Sequence, residues 1–113
     1  PLETMQRVET LLTHVWMVRT FIKHSEEAEE DDELKAIQQV LYDYMLALGT
    51  ASKNQATDAY LHQAHKKLTR LPRATAQFAE IQPEVASHMN YQMAARSLQT
   101  AVGEIREILG ESG

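Results

Sequence analysis

Apolar residues recur every three or four positions along almost the whole chain, and this spacing constrains the fold more than any other feature of the sequence. Such a period places apolar side chains on one face of an α-helix, whereas a half-buried β-strand needs strict alternation of apolar and polar residues. No segment of the sequence shows sustained alternation bounded by turn residues. The sequence therefore predicts an all-α protein.

Three interruptions divide the helical pattern into four predicted helices. The acidic run over 26–33 weakens a helix by repulsion between like charges, Gly49 is typical of a helix end, and Pro83 suits a first helical turn. Ser52 with Gln55 has the form of a capping box at the start of the third helix. The predicted helices cover about 2–24, 32–48, 53–71 and 83–109, and a break at Pro72 would leave a further short helix over 73–81.

The chain length and the short predicted connections bound the architecture. A chain of 113 residues has the size of one domain. Long amphipathic helices joined by short loops favour antiparallel neighbours. We therefore expect residues 1–113 to form a single antiparallel four-helix bundle, with the third helix kinked or broken near Pro72.

Composition excludes several classes of function. The chain contains no cysteine, which excludes disulfides and thiolate metal sites, and we expect a cytoplasmic protein. No apolar run approaches the roughly 20 residues that span a bilayer, so we expect no membrane partner. The net charge of −5 is local, because seven of the eight residues 26–33 are acidic. Nucleic acid is not the expected partner, since this acidic run repels a polyanion.

Two predicted helices carry more apolar residues than one buried face can use. Tyr42 and Leu46 point away from the main apolar stripe of the second helix, and Trp16 does the same on the first. An apolar helix face without an internal partner is typical of an interface, with a large aromatic residue as its anchor. We expect a homodimer or contact with another protein through these three residues. In the alternative, the bundle itself covers both faces of the second helix.

Histidines suggest a second kind of function, binding of a divalent metal or a small ligand inside the bundle. His88 falls on the apolar stripe of the last predicted helix with Glu84 one turn before it, and His14 lies at the edge of the stripe on the first helix. His62 and His65 are three residues apart and can share one helix face. A histidine hydrogen-bonded at the core boundary explains the same pattern without a ligand.

The third candidate is a basic stripe formed by Lys66, Arg70 and Arg73, which could receive phosphate or nucleic acid or could be an ordinary solvated face. The sequence has no Gly-x-Ser-x-Gly turn and no glycine-rich phosphate loop. It therefore favours a non-enzymatic protein with no cofactor beyond the divalent metal considered above.

Overall fold

A computed structural model describes residues 2–112, with side chains placed for 2–110. The predicted all-α fold is confirmed, because these residues contain six helices and no strand and the helices pack compactly. The predicted domain also includes Pro1 and Gly113, which lie outside the described residues. The helices are α1 (Leu2–Lys23), α2 (Glu26–Glu30), α3 (Asp32–Lys53), α4 (Thr57–Lys66), α5 (Arg70–Val85) and α6 (Met89–Ser112).

Helix α1 runs through the pattern that predicts it. Its buried apolar residues are spaced three or four apart, so they form one stripe along the helix. That stripe packs against α3 and α6, and α5 packs against both of those helices. The result is one continuous core. Its largest fully buried side chains include Tyr60, Tyr91, Phe78, Met5 and Ile22.

The acidic run forms a short helix of its own, α2. Ser25 caps its start, since the Ser25 hydroxyl accepts a hydrogen bond from the backbone N–H of Ala28. Ala28 is buried among the core residues, whereas Glu26, Glu29 and Glu30 are exposed. The buried alanine and the cap anchor a segment whose charges repel one another. Asp31 then caps α3 by accepting from the N–H of Leu34 at 3.0 Å.

The predicted end of the second helix at Leu48 and the predicted capping box both differ from the structure. Helix α3 continues through Gly49 to Lys53. Gln55 ends it by adopting the left-handed conformation, with φ of 52°. The N–H groups of Gln55 and Ala56 donate to the carbonyls of Ser52 and Ala51, respectively, which is the pattern of a Schellman motif. Ser52 therefore lies inside α3, and the following helix begins at Thr57.

The interruption expected near Pro72 lies earlier in the chain. Residues 67–69 form the turn between α4 and α5, and Pro72 is the third residue of α5. A proline in the first turn of a helix removes no intrahelical hydrogen bond, because the N–H groups of that turn have no partner within the helix. The helix consequently restarts before Pro72, at Arg70.

The last helix begins later than predicted. Pro83 lies in the final turn of α5, which ends at Val85, and α6 starts at Met89. Gln82 stabilises this helix end, because its backbone carbonyl accepts from the N–H of Ala86 and its side-chain amide donates to the Ala86 carbonyl at 2.8 Å. The connection between α5 and α6 therefore occupies residues that the sequence assigned to the last helix.

Candidate interaction face and the predicted ligand residues

Helices α1 and α3 together expose an apolar surface, the α1/α3 face, formed by Trp16, Met17, Tyr42, Met45 and Leu46. Three of these side chains are unusually exposed for their size: Trp16 at 46%, Met17 at 66% and Leu46 at 63%. Tyr42 and Met45 are half-buried beside them. The face thus contains the three residues that the sequence proposes as an interface.

A groove runs along this face between the two helices. Its volume is ≈ 350 Å³, and the charged residue in its lining is Glu9 at one end. Gly49 widens it, since nothing lies within 4 Å of the position where a β-carbon would be. The groove is lined by Glu9, Leu12, Thr13, Trp16, Met17, Met45, Leu48, Gly49 and Ser52.

Arg19 underlies the aromatic part of the face and was not anticipated from the sequence. Its guanidinium carbon lies 5.1 Å from the Trp16 ring centroid and 4.5 Å from that of Tyr42, within the range of cation–π attraction. The two rings are 6.5 Å apart and tilted by 42°. Arg19 is only 8% exposed, and its Nε donates to the side-chain oxygen of Gln38 at 3.2 Å. A buried cation therefore orients both aromatic side chains.

Glu9 belongs to a hydrogen-bonded cluster at the end of the groove. Its carboxylate accepts from the Ser52 hydroxyl and, at 3.2 Å, from the Tyr60 hydroxyl. Burial raises the pKa of Tyr60 above its ordinary value, and the neighbouring carboxylate raises it further. Over residues 2–110 the structure has no ion pair to Glu9. The cluster therefore presents a half-buried carboxylate whose hydrogen-bond partners among these residues are neutral hydroxyls.

The grooves between α1 and α6 differ in character. One, of ≈ 490 Å³, contains Arg7, Glu104 and Glu107 in its lining. The next, of ≈ 520 Å³, contains His14, Arg96 and Glu104 together with Met93, which is 45% exposed. Charges of both signs line this side of α1. His14 is exposed there, beside the half-buried Leu11.

The prediction that His88 lies on the apolar stripe of the last helix is wrong. Because α6 starts at Met89, His88 precedes it, and its side chain is 48% exposed. Its Nε2 lies 3.0 Å from a carboxylate oxygen of Glu27, and its ring packs edge-on against Tyr91 at 5.0 Å. A hydrogen bond to its own backbone lowers the pKa of Glu27, and His88 lowers it further, although desolvation opposes both.

The predicted metal ligands do not converge. His88 pairs with Glu27, and Glu84 is an exposed residue near the end of α5. His62 and His65 are exposed on α4. Among the residues that the structure describes, no group of three or more histidine, aspartate or glutamate side chains is placed to hold a metal ion.

The basic stripe is divided by the turn between α4 and α5. Lys66 ends α4, whereas Arg70 and Arg73 lie in the first turn of α5, and all three side chains are exposed. Arg70 also lines a cavity of ≈ 80 Å³ that includes Asp43, so an acidic side chain lies close to the stripe. The stripe therefore consists of exposed basic side chains on two helices.

Within residues 2–112 no helix is long and apolar enough to cross a bilayer. Comparisons with protein-family models, with curated proteins and with solved structures gave no match for this chain. A functional assignment therefore depends on the chemistry of the surfaces described above.

Proposed function

We propose that this chain is a non-enzymatic helical protein that acts through protein–protein contact and self-associates through the α1/α3 face. The observation that carries the proposal is the exposure of Trp16 and Met17, which line one apolar groove, and of Leu46, which follows the groove residue Met45 on α3. Monomeric soluble proteins rarely leave a large contiguous apolar patch in water, and such patches are typical of interaction sites.

The distribution of charge supports a second copy as the occupant of this face. Apart from the buried Arg19, α1 carries no Asp, Glu, Lys or Arg between Glu9 and Lys23, and α3 carries none between Asp43 and Lys53. Interface cores are depleted of charged residues and enriched in aromatic residues and methionine. An uncharged apolar face is complementary to an identical face, and most soluble oligomers are symmetric.

The proposal includes an architecture, an antiparallel four-helix bundle in which α4 and α5 together replace one broken helix. The packing supports it, because α1 packs on α3 and α6 and α5 packs on the same two helices. When four helices surround a core in this order, α1 and α3 are neighbours, and their outer sides are available to a partner.

Sedimentation equilibrium over a wide concentration range tests the function. We expect the apparent mass to rise from that of the 12.8 kDa monomer towards twice that value as concentration increases. A monomer at every concentration would remove the proposal.

Two matched methionine variants locate the contact. Met17→Glu places a charge on the α1/α3 face, whereas Met93→Glu places the same charge in the groove towards α6. We expect Met17→Glu to weaken self-association strongly and Met93→Glu to leave it unchanged, because burying an unpaired carboxylate is costly. The opposite ranking would move the contact to the other side of α1.

A further inference from the structure

Three residues of α1 lie on one line along the proposed contact. Glu9, Trp16 and Lys23 are spaced by seven residues, which is two helical turns with a drift of only about 20°. Glu9 and Trp16 both line the groove. Lys23 is the last residue of α1 and is exposed. An exposed aromatic residue is therefore flanked at equal distances by an acid and a base.

Neither of the flanking charges has an ion-pair partner among residues 2–110, for which side chains are placed. Glu9 is half-buried and held in place by Ser52 and Tyr60, so its carboxylate has a defined position. A fixed, partly desolvated carboxylate at the edge of an apolar groove favours a cationic group supplied from outside the chain.

From this arrangement we infer that two copies pair antiparallel along α1, with a two-fold axis at Trp16 and with Glu9 of each copy opposite Lys23 of the other. In a two-fold contact each residue i that meets j is matched by j meeting i. When two antiparallel helices cross at position 16, position 9 faces position 23. The seven-residue spacing therefore forms two identical ion pairs and brings the two Trp16 side chains to the centre. This inference rests on the proposed self-association.

The position of the acidic helix is compatible with this arrangement. Contacts between Ser25 and Tyr91 and between Glu27 and His88 hold α2 against the start of α6 and the connection that precedes it. The Glu27 carboxylate thus has a partner of its own at that end of the protein. Lys23 remains exposed beside it and is available to Glu9 of the second copy.

Charge reversal tests the inference. In Glu9→Lys both ion pairs become Lys–Lys contacts, and in Lys23→Glu both become Glu–Glu contacts. We expect each variant alone to self-associate roughly tenfold more weakly than the wild type. An equimolar mixture of the two should regain wild-type affinity as a heterodimer, because both contacts are then attractive. Sedimentation and native mass spectrometry of the mixture provide the readout.

A matched control uses Lys53, the exposed last residue of α3. Lys53→Glu has the same charge change at the end of α3. Lys53→Glu alone should self-associate like the wild type, because it keeps both inferred ion pairs. Its heterodimer with Glu9→Lys should be weaker than that homodimer, because one of the two contacts is then Lys–Lys. A heterodimer as tight as the wild-type dimer would instead show that α1 faces α3 of the second copy, and would overturn the inferred pairing. Failure of Glu9→Lys and Lys23→Glu to rescue each other would overturn it as well.

Two further measurements keep the outcomes distinct. Circular dichroism establishes that Glu9→Lys is folded, since this change disturbs the bonds to Ser52 and Tyr60. If that variant unfolds, substitutions of the exposed Lys23 still test the pairing. Lys23→Glu should weaken association and Lys23→Arg should not, and equal affinities of these two variants would contradict the inference.

A wild-type protein that never self-associates refutes the proposed function. A dimer sensitive to Met17→Glu but indifferent to Lys23→Glu refutes only the pairing.

Discussion

The two sides of α1 differ in the kind of surface that they expose. Towards α3 the groove is lined mainly by Leu, Met and Trp side chains, with one carboxylate at its end. Towards α6 the grooves contain Arg7, Arg96, Glu104 and Glu107. Exposed charges are well solvated and need no partner, whereas a cluster of large apolar side chains is stabilised when another surface covers it. This difference is the reason that we propose the contact on the α3 side of α1.

The largest effect should come from removing the aromatic anchor of the α1/α3 face. We expect Trp16→Ala to weaken self-association by roughly 30-fold or more, as truncation of an interface hot spot costs about 2 kcal/mol. Met93→Ala on the α6 side should have no measurable effect. Isothermal dilution calorimetry or sedimentation measures both. Equal effects of the two substitutions would show that the contrast between the two sides has no functional meaning.

An intermediate effect concerns the buried cation beneath that anchor. Arg19→Met keeps an apolar stem but removes the guanidinium from between Trp16 and Tyr42 and leaves the Gln38 oxygen without its donor. We expect the free energy of unfolding to fall by about 1–2 kcal/mol.

The control for that prediction is Arg96→Met, an exposed arginine in the α6-side groove. Its effect should stay within about 0.5 kcal/mol, as is usual for surface substitutions. Urea unfolding at a concentration where the protein is monomeric provides the measurement. A more stable Arg19→Met variant would mean that desolvation of the cation outweighs its contacts with the rings.

The smallest effect concerns the contact between Glu27 of α2 and His88, which lies within the chain. The pKa of Glu27 is lowered from 4.5 in the folded protein, so the folded state favours the ionised carboxylate. This contribution to stability is present above pH 4.5 and is lost as the pH falls through the lowered pKa. We expect Glu27→Gln to lower the urea midpoint slightly at pH 7, and the difference from the wild type should be smaller at an acidic pH below 4.5.

Glu29→Gln on the same helix is the control for this pH dependence, since Glu29 is exposed. Its urea midpoint should differ little from that of the wild type at either pH. Self-association at pH 7 should be unaffected by either substitution, because α2 is held against the connection between α5 and α6. Loss of the dimer in Glu27→Gln would show that α2 affects the contact at the α1/α3 face, and would contradict the independence of these two regions.

Predictability from the sequence varied with the range of the interactions involved. The apolar spacing of α1 matches its buried residues because a period of 3.6 is local geometry. The end of α3 was predicted at Gly49, yet Gln55 ends the helix in a left-handed conformation that glycine adopts more readily. His88 was placed on a helix that starts one residue after it. These differences arise where a residue typical of a helix boundary, Gly49 or Pro83, lies inside a helix that continues past it.

The candidate site was predictable only in part. The sequence predicts Trp16, Tyr42 and Leu46 as surface residues of an interface, because their helices contain more apolar residues than one buried face can hold. Arg19 lies three residues after Trp16 on the same helix, a spacing that permits contact, but its burial depends on Tyr42 and Gln38 of α3. The bond from Ser52 to Glu9 joins residues 43 positions apart.

Local chemistry in the chain was sufficient for the helical class, for the spacing of the core residues and for the excess of apolar residues on two helices, because a helix forms through contacts within four residues. Packing between helices was needed to bury Arg19 under two rings, to hold the Glu9 carboxylate at the groove and to pair His88 with Glu27. Those contacts join residues that are distant in sequence, and their geometry is defined only when the helices dock on a common core.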